Sequence, residues 1–122
     1  MRVQFAGCLL LMAVPAIAAA AEPNEHYDQD PHAHAVLECH ARYAQTYAAV
    51  RPAFQATDIA VGAKAHCLEQ RREFERHVRD GSSGDAGMML LPPVADQYLS
   101  DFREYLDAYT VDQYLQAVAN HR

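Results

Sequence analysis

Apolar positions recur at three- and four-residue steps along most of the chain, a pattern that predicts helices. Val36, Cys39, Tyr43, Tyr47 and Val50 form the first such stripe, the mark of a helix that buries one face. Asp30-Pro31 predicts its start, with Asp30 capping free backbone N–H groups and Pro31 pre-set at the first helical position. Pro52 ends it near Arg51. A second stripe follows in Ile59, Ala60, Ala63, Cys67, Phe74 and Val78, with Thr57 as the expected cap and Asp58 in the first turn. Beyond Glu69 this helix is dense in charge. Glu69 with Arg72, Glu73 with Arg76 and Glu75 with Arg79 are spaced to pair along a solvated face.

Residues 80–87 carry three glycines and two serines and read as a flexible connection. Met88-Met89-Leu90-Leu91, just before Pro92-Pro93, is expected to pack as an irregular apolar segment. A third helix is predicted from about Pro93 to Tyr109, with Val94, Tyr98, Phe102, Tyr105 and Tyr109 on its stripe. Thr110 and Gln113 have capping-box spacing, which predicts a break and a short last helix bearing Val111, Leu115 and Val118, with Tyr114 alongside. Asp96-Gln97-Tyr98-Leu99 is echoed by Asp112-Gln113-Tyr114-Leu115. One unbroken helix would turn the two tyrosines about 160° apart, so a break near Thr110 is the simpler way for both to face inward.

The two central stripes fit an antiparallel hairpin bent at Arg51-Pro52-Ala53. Centring the bend on residue 53 sets Cys39 opposite Cys67, Tyr43 opposite Ala63 and Tyr47 opposite Ile59. Large side chains then face small ones, and the two thiols share a layer. The expected fold is all-α: a Cys39–Cys67 disulfide-linked antiparallel hairpin, with one long and one short C-terminal helix packed across it to cover Phe74 and Val78, a three- to four-helix bundle.

Composition adds a compartment. After Arg2 comes an apolar run from Phe5 to Ala21, broken at Pro15 and closing in four alanines. It is short of the roughly 20 residues that span a bilayer and has the small-residue end of a cleaved secretory signal. Residues 1–21 are therefore expected to be a signal peptide, 22–30 an acidic, His-containing flexible tail, and 31–122 one helical domain. Cleavage removes Cys8 and leaves an even cysteine pair for an oxidising compartment, periplasmic or secreted. It also removes Arg2, taking the formal charge from −6 to −7. An acidic chain with interleaved bases is a poor match for nucleic acid or anionic membrane, and nothing past the signal is expected to insert into a membrane.

Candidate chemistry is sparse. A Cys2His2 site from Cys39, His40, His66 and Cys67 fails on geometry: if the cysteines face each other, one further residue turns the two histidines to opposite sides of the hairpin. They are expected at the surface or its boundary. His26, Asp28, Asp30, His32 and His34 alternate, so an extended chain would line up five nitrogen and oxygen donors suited to zinc, nickel or cupric ions. A helix begun at Asp30 would break that alignment. Met88 and Met89 read as core filler before soft metal ligands. No nucleophile–base pair, paired-carboxylate motif or phosphate loop is present, Gly81-Ser82-Ser83-Gly84 being simply linker.

The expectation is accordingly a non-enzymatic protein-interaction module, inhibitor-like or chaperone-like, acting without a cofactor on another periplasmic or secreted protein. Tyr98, Tyr105, Tyr109 and Tyr114 form a possible partner patch, since tyrosine suits interfaces as well as cores. The alternative is a periplasmic metal-binding protein using the N-terminal His/Asp segment.

Overall fold

The computed structural model describes Tyr27, 29–81 and 91–121 of the chain. The described residues form four packed helices: α1 (Pro31–Ala48), α2 (Ala56–His66), α3 (Leu68–Arg79) and α4 (Pro92–Asn120). The expected signal peptide, His26, Asp28 and the Met88-Met89-Leu90 run lie outside the described residues.

α1 starts as its sequence requires. Asp30 Oδ1 accepts from the backbone N–H of His32 at 2.9 Å and of Ala33 at 3.4 Å, and Pro31 takes the first turn. The face it buries is one step round from the expected stripe: Ala33, Val36, Leu37, His40, Ala44 and Ala48. Cys39, Tyr43 and Tyr47 form a half-buried flank, and Val50 is exposed. The physical reason is size. Alanines let α4 lie close against α1, while the bulky flank turns toward α2.

The hairpin and its clasp are present. Cys39 and Cys67 are disulfide-bonded with Cα atoms 6.0 Å apart, and Ile59, Ala60, Ala63, Cys67, Phe74 and Val78 are all buried as expected. Two local expectations are corrected. Gln55, not Thr57, is the N-cap of the second segment, and it makes no side-chain cap bond. That segment also bends at Cys67 (φ −98°, ψ 23°), which divides it into α2 and α3. At the bend the Arg71 guanidinium reaches back to donate to the Lys64 carbonyl at 3.1 Å, a side chain entering the backbone ladder as kinks require.

The C-terminal region corrects a larger expectation. It is one unbroken helix of 29 residues, not a long and a short one. Thr110 does not cap. Its Oγ1 donates to the Leu106 carbonyl one turn back at 2.7 Å and faces His40 at 2.8 Å, so its hydroxyl is satisfied within a continuing helix. The buried face is Ala95, Leu99, Phe102, Leu106, Thr110 and Tyr114, leaving Val94 and Leu115 exposed.

Two apolar clusters result. One gathers Val36, Leu37, Phe74, Val78, Leu99, Phe102 and Leu106 where α1, α3 and α4 meet. The Phe74 and Phe102 rings lie 4.4 Å apart, the cover Phe74 was expected to need. Tyr27, read from sequence as part of the tail, is 4% exposed and docks in this cluster, 5.0 Å from Phe102 and 5.1 Å from Tyr105. The other cluster joins Ala44, Ala48, Ile59 and Tyr114, where α1, α2 and α4 meet. The 160° turn between Tyr98 and Tyr114 is thus used: each packs into a different cluster. The charges of α3 also pair across the bundle. Glu75 bonds Arg103 at 3.1 Å and Arg79 bonds Asp96 at 2.8 Å, both partners on α4.

Candidate functional site

Beside the disulfide, the half-buried flank of α1 and the α2–α3 bend enclose a groove of about 460 Å³, within the size range of small-ligand and peptide-side-chain sites. Its wall is mixed: Tyr43, Tyr47, Glu38, Arg42, His66 and Gln70 all contribute, with Cys39 among the lining residues. The rings form a continuous ladder. His66 is 5.3 Å from Tyr43, Tyr43 is 4.6 Å from Tyr47, and Tyr47 meets Phe54 edge-on at 5.8 Å. Phe54, at the hairpin tip, is 45% exposed and extends the apolar strip past the groove.

Two features hold the ladder. Tyr43 and Tyr47 are four residues apart on α1, so their rings meet on one side of the helix, tilted by 41°. Tyr43 also lies over Gly62 of α2, where a Cβ would overlap its hydroxyl and come within 2.9 Å of Cζ. Burial, followed by the neighbouring Tyr47, pushes the Tyr43 pKa up, so the Tyr43 phenol stays a neutral hydrogen-bonding group at physiological pH. At the rim Arg42 pairs with Glu38 at 2.9 Å, and both are well exposed. The groove therefore presents aromatic faces, hydroxyls and a carboxamide with little net charge.

Gly62 gives a direct prediction. Gly62→Ala gains about 1 kcal/mol of helix propensity, while its methyl drives the Tyr43 ring outward. Thermal unfolding should show stability unchanged or raised, and near-ultraviolet circular dichroism should show a changed tyrosine environment.

The residues singled out by sequence fall in several places. His40 and His66 do lie on opposite sides, but His40 is not at the surface: it is wholly buried, while His66 is exposed in the groove. Asp30 caps α1 and lies 3.9 Å from His77 Nε2 of α3, the His32 ring meets that of His77 at 4.0 Å with a 36° tilt, and His34 is exposed. Among the described residues, no group of three or more His, Cys, Asp or Glu is placed to hold a metal ion. Tyr114 is 2% exposed and donates its hydroxyl to the Phe54 carbonyl at 2.8 Å. Tyr98, Tyr105 and Tyr109 are half-buried against the first cluster, and burial, followed by Asp30 and Tyr27, pushes the Tyr98 pKa up to about 12. Of the expected patch, Tyr114 is thus core, while Tyr98, Tyr105 and Tyr109 stay partly exposed. Sequence reasoning missed the ladder because Tyr43 and Tyr47 fit a buried stripe equally well; the small residues Gly62 and Ala63 opposite them were the available signal.

No described helix is long and apolar enough to cross a membrane. In comparison with known proteins, no family model, no curated protein and no solved structure matches the chain.

Proposed function

We propose that the protein is exported and acts as a non-enzymatic interaction module, holding a short, uncharged, extended segment of a partner polypeptide in the Tyr43–Tyr47 groove. The observation that carries this reading is the ladder from His66 through Tyr43 and Tyr47 to Phe54, flanked by Arg42. Tyrosine and arginine are enriched at binding hot spots: tyrosine supplies large contact area with few rotatable bonds, and arginine a directed, multiply donating polar end. The near balance of charge in the wall favours a neutral segment, and Gln70 and Thr46 offer hydrogen bonds to its backbone. Export is supported by the N-terminal apolar run and by the disulfide, a bond that persists in oxidising compartments.

Photo-crosslinking tests the reading. A benzophenone amino acid replacing Tyr47 in the full chain, expressed in cells, should yield a discrete protein adduct. The same group at Leu115, outside the groove lining, should not. Adducts of equal yield from both positions, or none from Tyr47, would remove the groove from consideration. Edman sequencing of the mature protein should begin at Glu22.

A further inference from the structure

Between the two apolar clusters lies a polar layer that neither the fold nor the groove accounts for. His40 of α1 is wholly buried, with Nδ1 2.8 Å from Thr110 Oγ1 of α4. Thr110 has one hydroxyl proton and gives it to the Leu106 carbonyl. Its oxygen is therefore an acceptor for His40, so the ring proton sits on Nδ1 and Nε2 is a bare lone pair. That Nε2 is buried with no hydrogen-bond partner.

Charged groups face this ring from each of the other three helices: Lys64 from α2, Arg71 from α3 and Asp107 from α4. Asp107 is already engaged. Lys64 Nζ lies 2.9 Å from both of its carboxylate oxygens, donating to Oδ2, while Oδ1 has only the ionic contact and no directed hydrogen bond. A proton on Nε2 would create a buried cation beside two others, with one carboxylate shared among them. Burial above all, then Arg71 and also Lys64, hold the His40 pKa down to about 4, with Asp107 opposing.

We propose that His40 is an acid-sensitive latch on α4: a proton on its unpartnered Nε2 leaves the bond to Thr110 in place but sets a buried, unsolvated cation at the α1–α4 seam, and its relief frees α4 from a hairpin that stays closed. The hairpin stays closed because the Cys39–Cys67 bond lies in the same layer and joins α1 covalently to the α2–α3 bend. The described contacts of α4 with the other helices are all non-covalent. Release uncovers Phe74, Leu99, Phe102 and Leu106, which are buried in the closed form. The sign follows from linkage. A histidine whose folded pKa is depressed contributes stability above its unfolded pKa of about 6.5, and that stability is lost as pH falls from there toward the folded value near 4.

Hydrogen exchange on the mature protein at pH 7 and pH 4.5, corrected for intrinsic exchange rates, tests the latch. Amides of α4 around Leu106 and Thr110 should lose about 50-fold in protection at pH 4.5, and α1–α2 amides beside the disulfide several-fold less. His40→Asn keeps a donor for Thr110 without titrating, and its protection at the two pH values should agree within about twofold. An equal acid loss in His40→Asn, or loss spread evenly over all four helices, would overturn the proposal. Should His40→Asn not fold, the wild-type imidazole resonances decide. Titration of His40 below pH 5 together with α4 loosening supports the latch, and titration above pH 6 contradicts it.

Discussion

Replacing both Cys39 and Cys67 with alanine is expected to lower stability by about 3 to 4 kcal/mol, with a fall in melting temperature of about 15 °C or more. The bond closes a loop between residues 28 apart in sequence, and its stabilisation comes chiefly from constraining the unfolded chain. For a domain of this size total stability is about 5 to 10 kcal/mol, so the loss is a large share. The double variant should still fold at low temperature, since Ile59, Ala63 and Tyr47 keep the hairpin interface. Urea unfolding of the two proteins, read by far-ultraviolet circular dichroism, measures the difference. A change under 1 kcal/mol would mean that the clasp is redundant with packing.

Phe102→Ala is expected to cost about 3 to 5 kcal/mol. Phe102 is 2% exposed and touches both Phe74 and Tyr27, so its loss leaves a cavity that rigid helices on three sides cannot close. The same ring also anchors Tyr27, so protease cleavage ahead of Asp30 should quicken in the variant. Phe54→Ala, at an exposed ring, should cost under about 1 kcal/mol by the same assay.

These expectations rest on features that differ in how visible they are in the chain. The clasp was legible because Cys39 and Cys67 stand equally far from the bend at Ala53, so one register satisfies both thiols and the facing small residues. The cover over Phe74 was legible because the hairpin register sets Phe74 and Val78 opposite only His32 and Asp28. The break assigned to Thr110 failed because a capping box and a mid-helix threonine that bonds back to residue i−4 look alike in sequence. At the bend at Cys67 the Arg71 side chain reaches back to the Lys64 carbonyl, a contact that periodicity does not encode. Tyr27 was hidden because one aromatic in an acidic stretch carries no period. The groove was hidden for a related reason: the stripe of Cys39, Tyr43 and Tyr47 has the same spacing whether it is sealed or open, and only the placement of the α2–α3 bend decides.

The tyrosine groove is the centre of the functional reading, and Gly62 offers the most direct access to it, because a single methyl displaces Tyr43 without removing any binding group. The decisive measurement is the yield of the Tyr47-position crosslink in Gly62→Ala relative to the unaltered chain, taken alongside the melting temperatures of the two proteins. The adduct is expected to fall at least tenfold while the melting temperature holds or rises. An undiminished adduct in a correctly folded Gly62→Ala protein would contradict it.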